Sequence, residues 1–96
     1  MSEARNDVIY DKHFLHDIRK LPAECQEKLA ELIDLLQNDP FDPRFHTKPL
    51  GPPLQGIFSF RITRDYRVGF KFLSDHVIQL IAADNRDKIY KKLSRK

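Results

Sequence analysis

The stretch GIFSFRITRDYRVGFKF, residues 56–72, holds two alternating runs on either side of a polar turn at Thr63, Arg64 and Asp65. Apolar and polar residues taking turns over such short runs read as a β-hairpin with one face on a core. Phe58, Phe60 and Ile62 share that face with Tyr66, Val68, Phe70 and Phe72 only if Ile62 stands opposite Tyr66. A slip of one residue would place arginines among the aromatics. This register leaves residues 63–65 as the turn, with Asp65 expected in the left-handed conformation.

The same register fixes the polar face, where Ser59, Arg61 and Thr63 meet Arg67, Gly69 and Lys71. Arg61 falls opposite Arg67, and opposed like charges cost a sheet a few tenths to about 1 kcal/mol. Gly69, facing Ser59, leaves the surface low where a ligand or another backbone approaches. Most charged strand faces are simply solvated. Two opposed arginines, whose planar forks match phosphate oxygens, favour an anion between them.

The chain of 96 residues, 41% hydrophobic and 32% charged, is long enough for one small domain with a modest core. Cys25 is the only cysteine, which excludes an intrachain disulfide and a cysteine-based metal site and fits a reducing compartment. Residues 1–10 lack the apolar run of a signal peptide, and no run reaches membrane-spanning length, so a cytoplasmic location and no membrane partner are expected. The net charge of +3 is unevenly spread. Residues 1–56 carry seven Lys/Arg against ten Asp/Glu, whereas residues 57–96 carry ten against four. The hairpin half therefore offers a basic surface to a polyanion, and charge alone does not choose between RNA, DNA and an acidic protein.

Before the hairpin, residues 8–10 read as a short strand. Phe14, Ile18 and Leu21 then set a helix over about residues 11–20, and Pro22 opens a second helix to about Asn38 with Cys25, Leu29, Leu32, Ile33 and Leu36 on one stripe. Such a helical hairpin needs a sheet to cover its apolar side. His13 and His16 have a spacing that suits a metal but lack a third ligand, and Cys25 reads as a small core residue. Residues 39–55 hold five of the six prolines and form a stiffened loop. Phe41, Phe45, Leu50 and Leu54 pin it to the core, and it delivers His46, Lys48 and Gln55 towards the hairpin. After the hairpin, residues 77–83 read as a strand buried on both faces. Asp84 or Asn85 caps a final helix to about Leu93, docked through Ile89 and Leu93, with Arg86 and Tyr90 on one side.

Lys48-Pro-Leu50, Gly56, Phe60-Arg61, Asp65-Tyr-Arg67, Asn85-Arg86 and Tyr90, in this order and spacing, resemble the RelE/ParE superfamily of toxin-antitoxin toxins. The resemblance spans nearly the whole chain. It implies an α+β fold: an N-terminal helical hairpin packed on a small, mainly antiparallel β-sheet, with a short C-terminal helix, all in one domain over residues 1–96. It also implies a toxin held inactive by a cognate antitoxin in a hetero-oligomer.

Two activities occur in that superfamily. RelE-like members cut translated mRNA on the ribosome by metal-independent attack of an RNA 2′-hydroxyl, and ParE-like members inhibit DNA gyrase. In the RelE-like reading the resemblance gives Arg67 the scissile phosphate, with Arg61 beside it on the preceding strand, and Tyr90 a stacking or proton-transfer role. Tyr90 is equally suited to docking the last helix. Asn85 stands where many RNA-cleaving members carry histidine, and asparagine is no general base. Lys48 lies where some relatives have a catalytic histidine, and His46 is near it; Lys48, Arg64, Lys71 and Arg86 are the expected RNA contacts. No metal or cofactor is implied. The alternatives are a gyrase inhibitor, a non-catalytic toxin-fold binding module and a generic RNA-binding domain. No aromatic stacking ladder of the kind that last class uses stands on the polar face.

Overall fold

A computed structural model describes residues 5–95. In chain order it contains β1 (Asp7–Tyr10), α1 (Lys12–Ile18), α2 (Ala23–Asn38), β2 (Lys48–Pro49), β3 (Phe58–Arg61), β4 (Tyr66–Ser74), β5 (Val77–Asn85) and α3 (Ile89–Leu93). The strands form one five-stranded sheet in the order β1-β5-β4-β3-β2. Only the β1 pairing with β5 is parallel. The fold is the expected α+β arrangement.

The hairpin keeps the register that its alternation demands. Phe58 pairs with Phe70, Ser59 with Gly69, Phe60 with Val68 and Arg61 with Arg67. Phe60, Val68 and Phe70 are fully buried, and Phe58, Tyr66 and Phe72 pack around them. Full burial of one such side chain contributes about 1.5–3 kcal/mol, so the aromatic face dominates the stability of the sheet.

Phe14 of α1 and Cys25, Leu29, Leu32 and Leu36 of α2 close this face. Asp11 caps α1 by accepting the His13 amide at 2.7 Å. Pro22 stands just outside α2 as its cap, and residues 19–22 connect the two helices, a longer link than the apolar spacing implies.

β5 is covered on both sides, as its apolar run predicts. Gly69 pairs with Ala82 and Phe70 with Leu80, so Ile81 is an extra residue in the strand. This β-bulge lets Ile81 and Ala82 both join Ile89 and Leu93 of α3, while Ile78, Leu80 and Ala83 belong to the aromatic core.

Four local expectations need correction. Asp65 is not left-handed, since among the described residues His46 is the only non-glycine with positive φ. The hairpin turn is held instead by the Ile62 amide on the Tyr66 carbonyl at 2.9 Å and by the Arg86 amide on the Asp65 carbonyl at 2.8 Å. Residues 39–55 are not wholly loop, because Pro43–Phe45 form a 3-10 turn and Lys48–Pro49 add an edge strand, where proline's missing N–H does no harm. Phe41 of that segment stays 53% exposed, although its ring stacks on Phe72. The final helix begins only at Ile89, because the Asn85 side chain caps the turn before it.

Candidate functional site

Two rows of side chains cross the polar face of the sheet. In the first, Lys48 of β2 pairs with Ser59 of β3, Ser59 with Gly69 of β4, and Gly69 with Ala82 of β5. In the second, Arg61, Arg67 and Asp84 stand side by side on β3, β4 and β5. The Ile62 amide bond to Tyr66 makes the neighbouring Arg61–Arg67 pair the non-hydrogen-bonded kind, in which Cα atoms approach to about 4.5 Å. The two arginine side chains thus leave the sheet from closely opposed positions.

α3 lies over the first row. A Cβ on Gly69 would meet Leu93 Cδ2 at 2.5 Å, so the hollow that Gly69 leaves is filled by Leu93 and is not open to a ligand. Ser59 is fully buried there, and among the described residues its Oγ has no hydrogen-bond partner. Tyr90 leans from α3 towards the sheet edge, where Lys48 Nζ stands 5.7 Å from its ring centroid. α3 therefore covers the first row, reaches the second at Asp84 through Lys92, and brings a phenol and an ammonium together at the β2 side of the sheet.

α3 is tied at both ends. At its start, Asn85 Oδ1 accepts the amides of Asp87 at 3.0 Å and Lys88 at 2.9 Å, and the Arg86 amide reaches the hairpin turn. Near its end, Lys92 Nζ lies 3.0 Å from Asp17 Oδ1 and 2.9 Å from Asp84 Oδ2. Asp17 is buried and also accepts the Ala83 amide at 3.0 Å, on the part of β5 that β1 does not reach. Burial pushes Asp84 up, but the hydrogen bonds from Lys92 and the Asn85 amide, with the charges of Lys92 and Lys88, hold its carboxyl below the usual carboxylate range. Burial pushes Lys92 down, and its hydrogen bonds to Asp84 and Asp17 and their charges outweigh that and raise it.

The linked stability follows from these directions. Asp84 binds its proton less readily in the fold than in the unfolded chain, where its pKa is about 3.9, so its contribution is complete above about pH 4 and drains away as the pH falls further. Lys92 is raised, so its contribution is complete below about pH 10 and is lost only as the pH rises beyond its folded value. Lys92→Met should cost about 2–3 kcal/mol at neutral pH, somewhat less than a fully buried pair because the lysine is partly exposed. It should also flatten the acid limb of the stability profile, measured by urea unfolding between pH 2.5 and 7.

The sequence-derived residues separate into distinct places. Arg61 and Arg67 come together, with Tyr90 and Lys48 beyond them in the direction of the sheet edge. Arg64 is exposed at the hairpin tip, and Arg86 is exposed on the turn bonded to that tip. Among the described residues Arg61, Arg64, Arg67 and Arg86 have no ion pair and no side-chain hydrogen bond. Asn85 has its carboxamide oxygen committed to the turn, so in this geometry it positions Arg86 and α3. Lys71 does not stand behind the arginines, because α3 intervenes. It lines a cleft of about 860 Å³ on the other flank, with Gln79, Lys92 and Arg95. The ties through Asp17, Asp84 and Lys92 were missed by sequence reasoning; the available signal was an acid, Asp17, within the apolar spacing of α1.

Solved structures share this architecture. YafQ from E. coli strain BL21(DE3) superposes with a TM-score of 0.73 at 20% identity, covering 88% of this chain and 98% of that one. The RelBE2 toxin-antitoxin complex from Mycobacterium tuberculosis matches with a TM-score of 0.72 at 25% identity, covering 85% of this chain and 99% of its counterpart. The RelE-RelB complex from Pyrococcus horikoshii OT3 gives a TM-score of 0.69 at 23% identity over 84% and 94%.

The chain has the RelE/ParE toxin fold.

No protein-family profile and no curated protein sequence matches it. Agreement with RelE/ParE toxins therefore lies in the fold, and sequence identity to them is low. Within that fold Arg61, Arg64, Arg67 and Arg86, which have no ion pair among the described residues, lie at the hairpin-turn end of the sheet. Among the described residues no helix is long and apolar enough to cross a membrane.

Proposed function

We propose that this chain is the toxin of a type II toxin-antitoxin system and a ribosome-dependent endoribonuclease that cleaves translated mRNA without a metal. The observation that carries this reading is the pair of arginines without ion pairs among the described residues, Arg61 and Arg67, standing opposite each other on the sheet, with Lys48 and Tyr90 meeting on the neighbouring row. Such a pair is costly unless an anion lies between the guanidinium groups. In the reaction the RNA 2′-oxygen attacks the adjacent phosphorus, the bond to the 5′-oxygen breaks, and a 2′,3′-cyclic phosphate and a 5′-hydroxyl result. The proton of the 2′-hydroxyl passes to a base, and the departing 5′-oxygen takes up a proton.

Arg67 and Arg61 stabilise the extra negative charge of the pentavalent phosphorus, which is where preorganised cations act most strongly. Tyr90 stacks on a base or moves a proton, and Lys48, whose Nζ stands 5.7 Å from the Tyr90 ring centroid, offers an amine for the other transfer. Asn85 contributes by holding the turn that carries Arg86. The partner expected in the cell is a cognate antitoxin that covers the basic half, in keeping with the antitoxin-bound RelBE2 and RelE-RelB complexes of the same fold.

Expression without antitoxin should arrest growth and leave transcripts cut inside their translated regions. Intact transcripts together with inhibited gyrase supercoiling would favour the ParE-like alternative. Lys71→Ala should behave unlike the arginines, because Lys71 lies across α3 from them. It should weaken ribosome binding and its salt dependence with little change in the rate at saturation, read from single-turnover cleavage against ribosome concentration.

A further inference from the structure

A second cluster of charge lies around the outer edge of β3, past the end of β2. β2 pairs only with Phe58 and Ser59, so at Arg61 the strand edge is open. A cleft of about 530 Å³ forms there between α2, the 3-10 turn and the hairpin tip, with Lys28, Glu31, Arg44, His46, Arg61 and Arg64 on its walls. Arg44 is neutralised by Asp42, which takes its Nε and Nη2 at 2.9 Å each. That hydrogen-bonded pairing lowers Asp42 to about 2, so the pair stays ionised.

Three cations without an ion pair among the described residues remain, Lys28, Arg61 and Arg64, against one acid, Glu31. Arg61 Nε is buried and among the described residues has no hydrogen-bond partner, a donor that an anion's oxygen would satisfy. His46 lines the cleft as the left-handed C-cap of the 3-10 turn, at φ 52° with its amide on the Pro43 carbonyl at 3.2 Å.

We infer that this edge cleft is a second phosphate subsite, taking a phosphodiester of the RNA strand next to the one held between Arg61 and Arg67. The inference rests on the nuclease reading for the identity of the strand as RNA. Arg61 belongs to both places, since it faces Arg67 across the hairpin and also lines the cleft. A strand lying over β4 and β3 therefore meets Arg67, then Arg61, then Arg64, His46 and Lys28 as it turns round the sheet edge towards α2. A phosphate suits the planar donors of Arg61 and Arg64 better than the spread charge of an acidic peptide does.

The test uses a six-nucleotide single-stranded RNA with 2′-O-methyl sugars, which resists cleavage, and follows its anisotropy with the purified chain from 50 to 300 mM salt. Lys28→Ala and Arg64→Ala should each weaken binding and reduce the slope of log affinity against log salt by about 0.7, the value for one single-strand phosphate contact. Glu31→Gln should tighten binding, and Arg19→Ala, on the far side of the helical hairpin, should leave both quantities unchanged. Unchanged affinity and slope in the folded Lys28→Ala/Arg64→Ala double variant would overturn the subsite and leave the nuclease reading standing. Altered slopes in a protein that fails to cut mRNA on ribosomes would keep the subsite and remove the nuclease reading.

Discussion

Arg67→Ala is expected to lower single-turnover mRNA cleavage on programmed ribosomes by a hundred- to a thousandfold while leaving the fold nearly intact. The size follows from removing one preorganised charge at a transition state that gains negative charge. The intact fold follows from what Arg67 lacks. No ion pair or side-chain hydrogen bond is lost among the described residues, and its departure relieves repulsion with Arg61. A stability change within about half a kcal/mol is therefore expected, as for surface substitutions generally, and thermal unfolding measures it. Arg61→Ala should follow the same pattern less severely. A melting temperature that falls in step with the activity would make Arg67 a structural residue.

Gly69→Val should reduce cleavage about a hundredfold by a different route, through α3. The added side chain would run into Leu93, whose Cδ1 and Cδ2 lie 2.6 and 2.5 Å from the position of the new Cβ. Overpacking of this kind costs about 1–3 kcal/mol. The helix must lift, Tyr90 moves with it, and a misplacement of about 1 Å is enough for a loss of this order. Leu93→Ala in the same chain removes as many carbons as valine adds, so the double variant should recover both stability and rate beyond the sum of the single effects. Additive losses in stability and rate would mean that Leu93 and Gly69 do not control the position of Tyr90.

The hairpin register was legible because a shift by one residue would put Arg61 in place of Phe60 or Arg67 in place of Tyr66 on the core face, a penalty that a sequence displays openly. The opposition of Arg61 and Arg67 followed from it. Gly69 was legible as a point of close approach, but its occupant, Leu93, comes from an element 24 positions further along the chain, and strand alternation carries no word of that. β2 escaped notice because two residues, one of them proline, show no periodicity. The bulge at Ile81 hid inside a uniformly apolar run, where no polar residue marks the change of face. Asp17 and Lys92 read as ordinary charged residues and Asp84 as a candidate helix cap, and only the packing of α1 and α3 against β5 joins them. Asn85 was read by its place in a family pattern, whereas its oxygen is occupied by two amides of the turn.

The most direct measurement is to incubate the purified chain with ribosomes programmed with a defined mRNA, to map the RNA ends by primer extension and to identify their chemistry. Cuts confined to the codon in the A site, leaving a 2′,3′-cyclic phosphate and a 5′-hydroxyl and absent without ribosomes, are the result that phosphate chemistry at Arg61 and Arg67 requires. Uncut mRNA at saturating protein, with gyrase supercoiling inhibited by the same preparation, would contradict it.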